Sequence, residues 1–344
     1  MKKIRTQVAI QSVLIVGLLI YIGWQEFANG NNEIKLANLV ASEPSVTTAP
    51  KNLDGSPRDG TPKVIMAPSY KAFTIPIPQQ VEFVGETIPL QEPDLRERLD
   101  REMHVNANWH SNTILMIKRA QRWLPTIEKI LEENNVPTDF KYLPVIESGL
   151  VEHARSPKNA LGFWQLLKGT AKEFGLEVNK EVDERYDPVK STEAACRYLK
   201  KAHAKFGNWV NVAASYNIGM RGFERRLEEQ KIDSYFDMLL NEETARYFFR
   251  LVSMKMILEN PEAYGFYIDE QERYSQPEFK VITVTETIDD LVEFAHTHGV
   301  SYKILKRYNP WLRKKKLTVK RNTYKILISQ DPAEQYNPTA QVSD

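Results

Sequence analysis

The sequence predicts a mainly α-helical body over residues 94–274, a small α/β module over 278–330 ordered strand, helix, helix, strand, and an N-terminal transmembrane helix within 1–27. Three observations carry this. Apolar residues recur at helical spacing through the middle of the chain, the pattern changes to alternation after Tyr274–Pro277, and an unbroken apolar run follows the first basic residues.

That run is VAIQSVLIVGLLIYIGW, Val8 to Trp24, preceded by Lys2, Lys3 and Arg5. As a helix it would span roughly 25 Å, close to the lower limit for crossing a bilayer. Tyr21 and Trp24 suit the membrane interface, and the basic residues favour a cytoplasmic N-terminus. No small-x-small cleavage site stands out around Glu26 to Gly30, so a retained anchor is expected over a cleaved signal peptide. Residues 28–93, rich in Pro, Asn, Ser and Thr, read as a linker, whose last part, PSYKAFTIPIPQQVEFVGETIPL, has some alternation and could lie extended against the next domain.

In the helical body, Pro125, Pro137 and Pro188 suit first-turn positions, and Asp187 is placed to cap the helix PVKSTEAACRYLKKAHAKF. Ala194, Ala195, Tyr198, Leu199, Ala202 and Phe206 form its apolar stripe. Another helix covers ETARYFFRLVSMKMILEN and stops before Pro261. In the module, FKVITVTET and TYKILIS read as strands, with IDDLVEFAHTHG and SYKILKRYN as short helices between them. Residues 331–344 are expected to be a disordered tail.

Composition narrows the function. The formal net charge is +1, and no basic run is interleaved with aromatics, so no nucleic-acid partner is expected. Arg313 to Lys316 is a short cluster that reads as a solvated loop, or as help in holding an anionic polymer. The single cysteine, Cys196, excludes an internal disulfide and reads as a small core residue. The six histidines lack metal-ligand spacing, so no metal site and no cofactor are expected.

One residue stands out chemically. The segment FKYLPVI, Phe140 to Ile146, is apolar on nearly every face and ends in Glu147, followed by Ser148 and Gly149. Gly149 suits the left-handed end of a helix. Glu147 therefore falls in the last turn of a buried helix, where low dielectric and the negative helix end both raise a carboxyl pKa, as a general acid needs.

The stretch ESGLVEHARSPKNALGFWQLLKGTA, followed by DERYDPVKSTEAACRYLKKAHAKFGNW, AASYNIG and EETARYFFR, resembles the ordered motifs of the soluble lytic transglycosylase family, the goose-type-lysozyme-like murein enzymes. The C-terminal module resembles a lysin-motif (LysM) domain, with Thr285-Glu286-Thr287-Ile288 where that module usually has Gly-Asp-Thr-Leu. The resemblance implies a lysozyme-like catalytic fold with Glu147 as the sole catalytic acid/base. It implies that Ser156, Gln165, Tyr216 and Asn217 contact the glycan, and that Glu243 and Tyr247 close the cleft behind the acid. Asn159 stands where the family often has Gly, and Lys168 where it often has Pro.

Several of these residues also have a plain structural reading. Trp164 is either a core aromatic or a sugar-stacking platform, and Tyr216 could be core. Glu243 could be a first-turn residue favoured by the helix dipole, and Ser156 simple turn chemistry before Pro157. The implied activity is cleavage of the β-1,4 bond between N-acetylmuramic acid and N-acetylglucosamine in peptidoglycan, giving 1,6-anhydromuramoyl products. The catalytic domain would lie in the periplasm, held to the inner membrane by the N-terminal helix. A muramidase using water, or an inactive peptidoglycan-binding scaffold, are the alternatives.

Overall fold

The computed structural model describes residues 74–336. The predicted membrane span and most of the predicted linker lie outside the described residues; among the described residues no helix is long and apolar enough to cross a membrane.

The body opens with a two-residue hairpin, β1 (Glu82–Phe83) and β2 (Glu86–Thr87), turned at Val84 and Gly85, both with positive φ. Here the linker reading needs correcting. Val81, Phe83, Ile88 and Leu90 are buried, so the alternation in this stretch marks core residues and the body begins before residue 94. The ring of Phe83 meets those of Phe140 and Phe248 edge-on, each 5.4 Å away. Geometry of this kind adds to the area that burial removes from water.

Helix α1 (Pro93–Asn108) breaks at Trp109 into α2 (His110–Glu133). Pro125 was expected in a first turn, yet α2 runs straight through it. Pro125 and Gln121 are both exposed, so the carbonyl that loses its helical partner is on the solvent side. A 3₁₀ turn, Thr138–Tyr142, leads into α3 (Leu143–Ser148), which ends at Gly149 with φ +59. After a long loop come α4 (Lys168–Glu173) and a 3₁₀ turn at Glu184–Tyr186.

Helix α5 (Pro188–Phe206) starts as predicted: Asp187 accepts from the amides of Val189 and Lys190, and Pro188 supplies a ready-set φ. Its stripe from Ala194 to Ala202 is buried. Then follow α6 (Trp209–Ile218), α7 (Met220–Gln230) and α8 (Glu242–Glu259). Helix α8 runs through the core: Phe248, Phe249, Leu251, Val252 and Ile257 are fully buried, and Asn106 of α1 bonds to its Ser253 at 2.6 Å. Glu102 of α1 is wholly buried and pairs at 2.5 Å with Arg246 of α8, which is itself partly exposed.

The C-terminal module has the predicted order: β3 (Phe279–Val284), α9 (Leu291–Thr297), α10 (Tyr302–Tyr308) and β4 (Tyr324–Ser329), the strands pairing antiparallel in full register from Phe279–Ser329 to Val284–Tyr324. Buried Asn309 follows α10. Its amide donates to the carbonyls of Leu305 and Leu327 and accepts from the Leu327 amide, fixing the helix end to β4. The expected disordered tail also needs correction over its first part. Residues 331–336 fold back, with a 3₁₀ turn at Pro332–Glu334, Ser329 donating to Glu334, and the Tyr336 amide donating to Gly299 O.

The module is bonded to the body. Val182 and Leu312 form an antiparallel bridge, flanked by Asp183 N to Trp311 O at 2.9 Å and Arg313 N to Glu181 O at 2.7 Å. Leu161, Val182 and Tyr186 of the body share one apolar cluster with Leu291, Leu312 and Ile326 of the module. Arg313, expected in a solvated loop, lies over the ring of Tyr186 at 4.5 Å. The connection between the two parts is held as well: Tyr274 sits under Lys118 and Arg122, and Arg122 bonds to Ser275 O.

Candidate active site

An open cleft of about 910 Å³ lies between α3, the loop from Ser156 to Leu167, α5, and the junction of α6 with α7. Six of the seven residues singled out from the sequence line it: Glu147, Ser156, Gln165, Tyr216, Asn217 and Glu243. The seventh, Tyr247, is buried and donates its hydroxyl hydrogen bond to Glu147.

Glu147 stands at the end of α3, half-buried, with protein packed around all but its cleft side. Burial raises its carboxyl pKa above the ordinary range; the Tyr247 hydroxyl and the Arg250 guanidinium pull it down, and Glu243 pushes it slightly up. The expectation that the negative helix end contributes to the rise is not met by the geometry. Arg119 of α2 donates to Gly149 O at 2.9 Å, and Arg250 of α8 donates to Ile146 O at 3.1 Å, so two cations answer the carbonyls there. Desolvation carries the shift. The result is a carboxyl that holds its proton unusually well yet has a donor ready for the ionised form, the dual character required of a group that acts first as acid and then as base.

The other lining residues are partly committed to the protein, which defines what each can offer a ligand. Gln165, at φ +45, spends its amide nitrogen on Gly162 O and Ala154 O, leaving its carbonyl oxygen as an acceptor. The Tyr216 hydroxyl donates to Trp164 O at 2.8 Å and can only accept from a ligand; burial and Glu147 keep it firmly protonated. Ser156 accepts from the Ala160 amide through Oγ and still has its proton to donate. Asn217 accepts from Thr244 at 3.0 Å through Oδ1, so its amide hydrogens are its means of contact. Glu243 is exposed in the first turn of α8, where the helix dipole favours it. The cleft thus offers a ligand both donors, from Ser156 and Asn217, and acceptors, from Gln165 and Tyr216.

Of the two readings of Trp164, the structure selects the core one. Its side chain is fully buried and its indole donates to Thr192 at 2.8 Å. Asn159, where the family often has Gly, sits at φ +61, a conformation that Asn tolerates better than most residues. Sequence reasoning missed Arg119 and Arg250, because neither has a spacing that marks it as a partner of α3. It also missed Leu167, an exposed apolar side chain on the cleft wall.

Residues 125–238 match the family described as Transglycosylase SLT domain, and residues 280–335 match the Soluble lytic transglycosylase C-terminal LysM-like domain. The chain is 25% identical over 264 residues to Membrane-bound lytic murein transglycosylase D from Escherichia coli K12, and equally so to that of strain CFT073. These alignments cover 74% of this chain and 56% of each relative, so the chain spans little more than half the length of the curated relatives it matches. An X-ray structure of an inactive mutant of lytic transglycosylase Slt from Pseudomonas aeruginosa aligns with 51% of this chain and 32% of its own, at 21% identity and a TM-score of 0.34.

Proposed function

Because this chain carries a transglycosylase SLT domain followed by a LysM-like module, we propose that it is a peptidoglycan lytic transglycosylase, cleaving the β-1,4 bond between N-acetylmuramic acid and N-acetylglucosamine. The observation that supports this most is Glu147, a raised-pKa carboxyl at the cleft wall with Tyr247 behind it.

In the reaction, protonated Glu147 gives its proton to the glycosidic oxygen as the bond to the muramoyl anomeric carbon breaks. The acetamido oxygen of the same sugar stabilises the cationic centre. Glu147, now a carboxylate stabilised by Tyr247, takes the proton of the muramoyl 6-hydroxyl as that oxygen bonds to the anomeric carbon. The products are a free N-acetylglucosamine 4-hydroxyl and a 1,6-anhydro end, and Glu147 is again protonated. A tethered hydroxyl has an effective molarity of up to about 10⁵–10⁸ M, which favours it over water.

Hydrolysis by two carboxyls would need a second acid in the right place. Glu173 lines the cleft but is paired with Lys201 at 2.7 Å. Glu243 is the other carboxylate on the wall, and its position gives the muramidase reading what support it has. Digestion of purified sacculi, borohydride treatment and mass spectrometry separate the two. Anhydro ends that resist reduction are expected; reducible ends carrying an added water would overturn the reaction class.

Membrane attachment through Val8 to Trp24 belongs to the same proposal, supported by the apolar run and by relatives named as membrane-bound. The protein is expected to sediment with membranes, and a mature N-terminus near Asn29 would argue for a cleaved signal instead.

A further inference from the structure

A wall-binding repeat on a flexible tether raises local concentration without touching the enzyme it serves. This module does touch it. Glu177 accepts from Asn322 at 2.8 Å and from the Tyr324 hydroxyl at 3.0 Å, and Glu181 accepts from the Thr318 amide at 2.9 Å. Together with the Val182–Leu312 bridge and Arg313 over Tyr186, these contacts seat the module on residues 177–186.

The opposite side of that segment holds the cleft loop. Arg185 is buried and gripped by both oxygens of Asp183, at 2.9 and 2.7 Å. Its remaining nitrogen donates to Asn159 O and Leu166 O, at 3.2 and 3.3 Å, near the two ends of the loop that presents Gln165. Asp183 in turn takes its backbone position from Trp311 O. Leu161 joins both sides: its backbone bridges Arg155 and Leu166, while its side chain is buried in the module's apolar cluster. The loop also includes two non-glycine residues at positive φ, Asn159 and Gln165, a backbone state that persists only where the surroundings impose it.

We propose that the C-terminal module is a structural brace of the cleft, lining none of it but holding from behind the loop that does. Through Asp183 and Arg185 it positions the Ser156–Leu166 loop, and so contributes to the binding of glycans too short to reach any groove on the module itself. This rests on the transglycosylase reading of the cleft. Arg185 is a positioning residue in this scheme, acting through the loop and not on the sugar.

The test uses the whole chain with Glu177→Ala and Arg313→Ala combined, which removes interface contacts without opening a hole in either core. Two readouts are taken: amide hydrogen exchange over 155–166, and KM and kcat on a short soluble peptidoglycan fragment. Exchange in the loop is expected to quicken and KM to rise, each about five-fold or more, the range of ordinary site-to-site coupling. Turnover at saturation should change little, and Arg313→Lys with Glu177 intact should behave as wild type. If the double variant fails to fold, Arg313→Ala alone, which trims an exposed side chain, supplies the same readings. Faster exchange at 310–318 with 155–166 and KM unchanged would overturn the proposal and make the module a tether. The exchange result decides the coupling even if the wild-type protein releases no anhydro product, an outcome that would count against the reaction alone.

Discussion

Tyr247 reaches Glu147 from a position 100 residues further along the chain, and its hydroxyl donates to the Oε1 of that carboxyl. The contact joins the end of a six-residue helix to the second turn of α8, whose later turns run through the core. It sets two forces against each other at one group: burial favours the acid, and the phenol favours the carboxylate. A general acid that must become a base within the same turnover needs both.

Tyr247→Phe removes the donor that stabilises the ionised form while leaving the ring in place. The Glu147 pKa should then rise further, so the alkaline limb of the kcat/KM profile moves to higher pH and the maximal rate falls. An acid-side shift of that limb would mean the hydroxyl serves some other purpose.

Glu147→Gln should reduce turnover of sacculi by at least about 10²–10⁴-fold, the usual worth of general acid–base catalysis. It should also change stability, in a direction fixed by the raised pKa. The fold favours protonated Glu147, so that contribution is complete below the ordinary carboxylate range and is lost as pH rises through the raised value. The variant is therefore expected to melt above wild type at neutral and alkaline pH, with the gap closing in acid. Thermal melts across that range check it, and a wild type more stable at high pH would refute the assignment.

Trp164→Phe distinguishes core from sugar platform at a position where the sequence allowed both. The indole bond to Thr192 is lost and a buried hydroxyl loses a partner, which should cost about 1–3 kcal/mol. Urea denaturation should report that loss while glycan affinity stays near wild type. A large affinity loss with unchanged stability would restore the platform role.

Gly162→Ala puts a methyl where there is no room for it. The added carbon would lie 1.8 Å from Arg185 O, on a residue with φ +73. The loop must shift or the chain lose stability, by about 2 kcal/mol or more. Chemical denaturation and activity should both show the damage, and a neutral outcome would mean that the loop adapts freely.

Much of this was legible in the chain itself. Asp187 before Pro188, the stripe from Ala194 to Ala202, and Gly149 after Glu147 are local signals, each complete within one helix, and each appears as expected. Pro125 misled because a proline on an exposed face can be carried by a helix that its local signal would end. Phe83 and Ile88 were hidden by their Pro-rich surroundings, which dilute apolar content without preventing burial. Arg119 and Arg250 were out of reach in a stronger sense. Periodicity tells which face of α2 and α8 turns inward, and says nothing of which carbonyls it will meet there.

The Val182–Leu312 bridge also bears on heredity. Two stretches far apart in the gene, 177–186 and 311–324, form one surface, so a change in either is judged by the other. Recombination that exchanged this module for a foreign wall-binding repeat would leave Val182, Tyr186 and Leu161 facing an ill-fitting neighbour. Paired substitutions across the seam are the expected record in descendants, and a graft that works should need its matching half from the same parent.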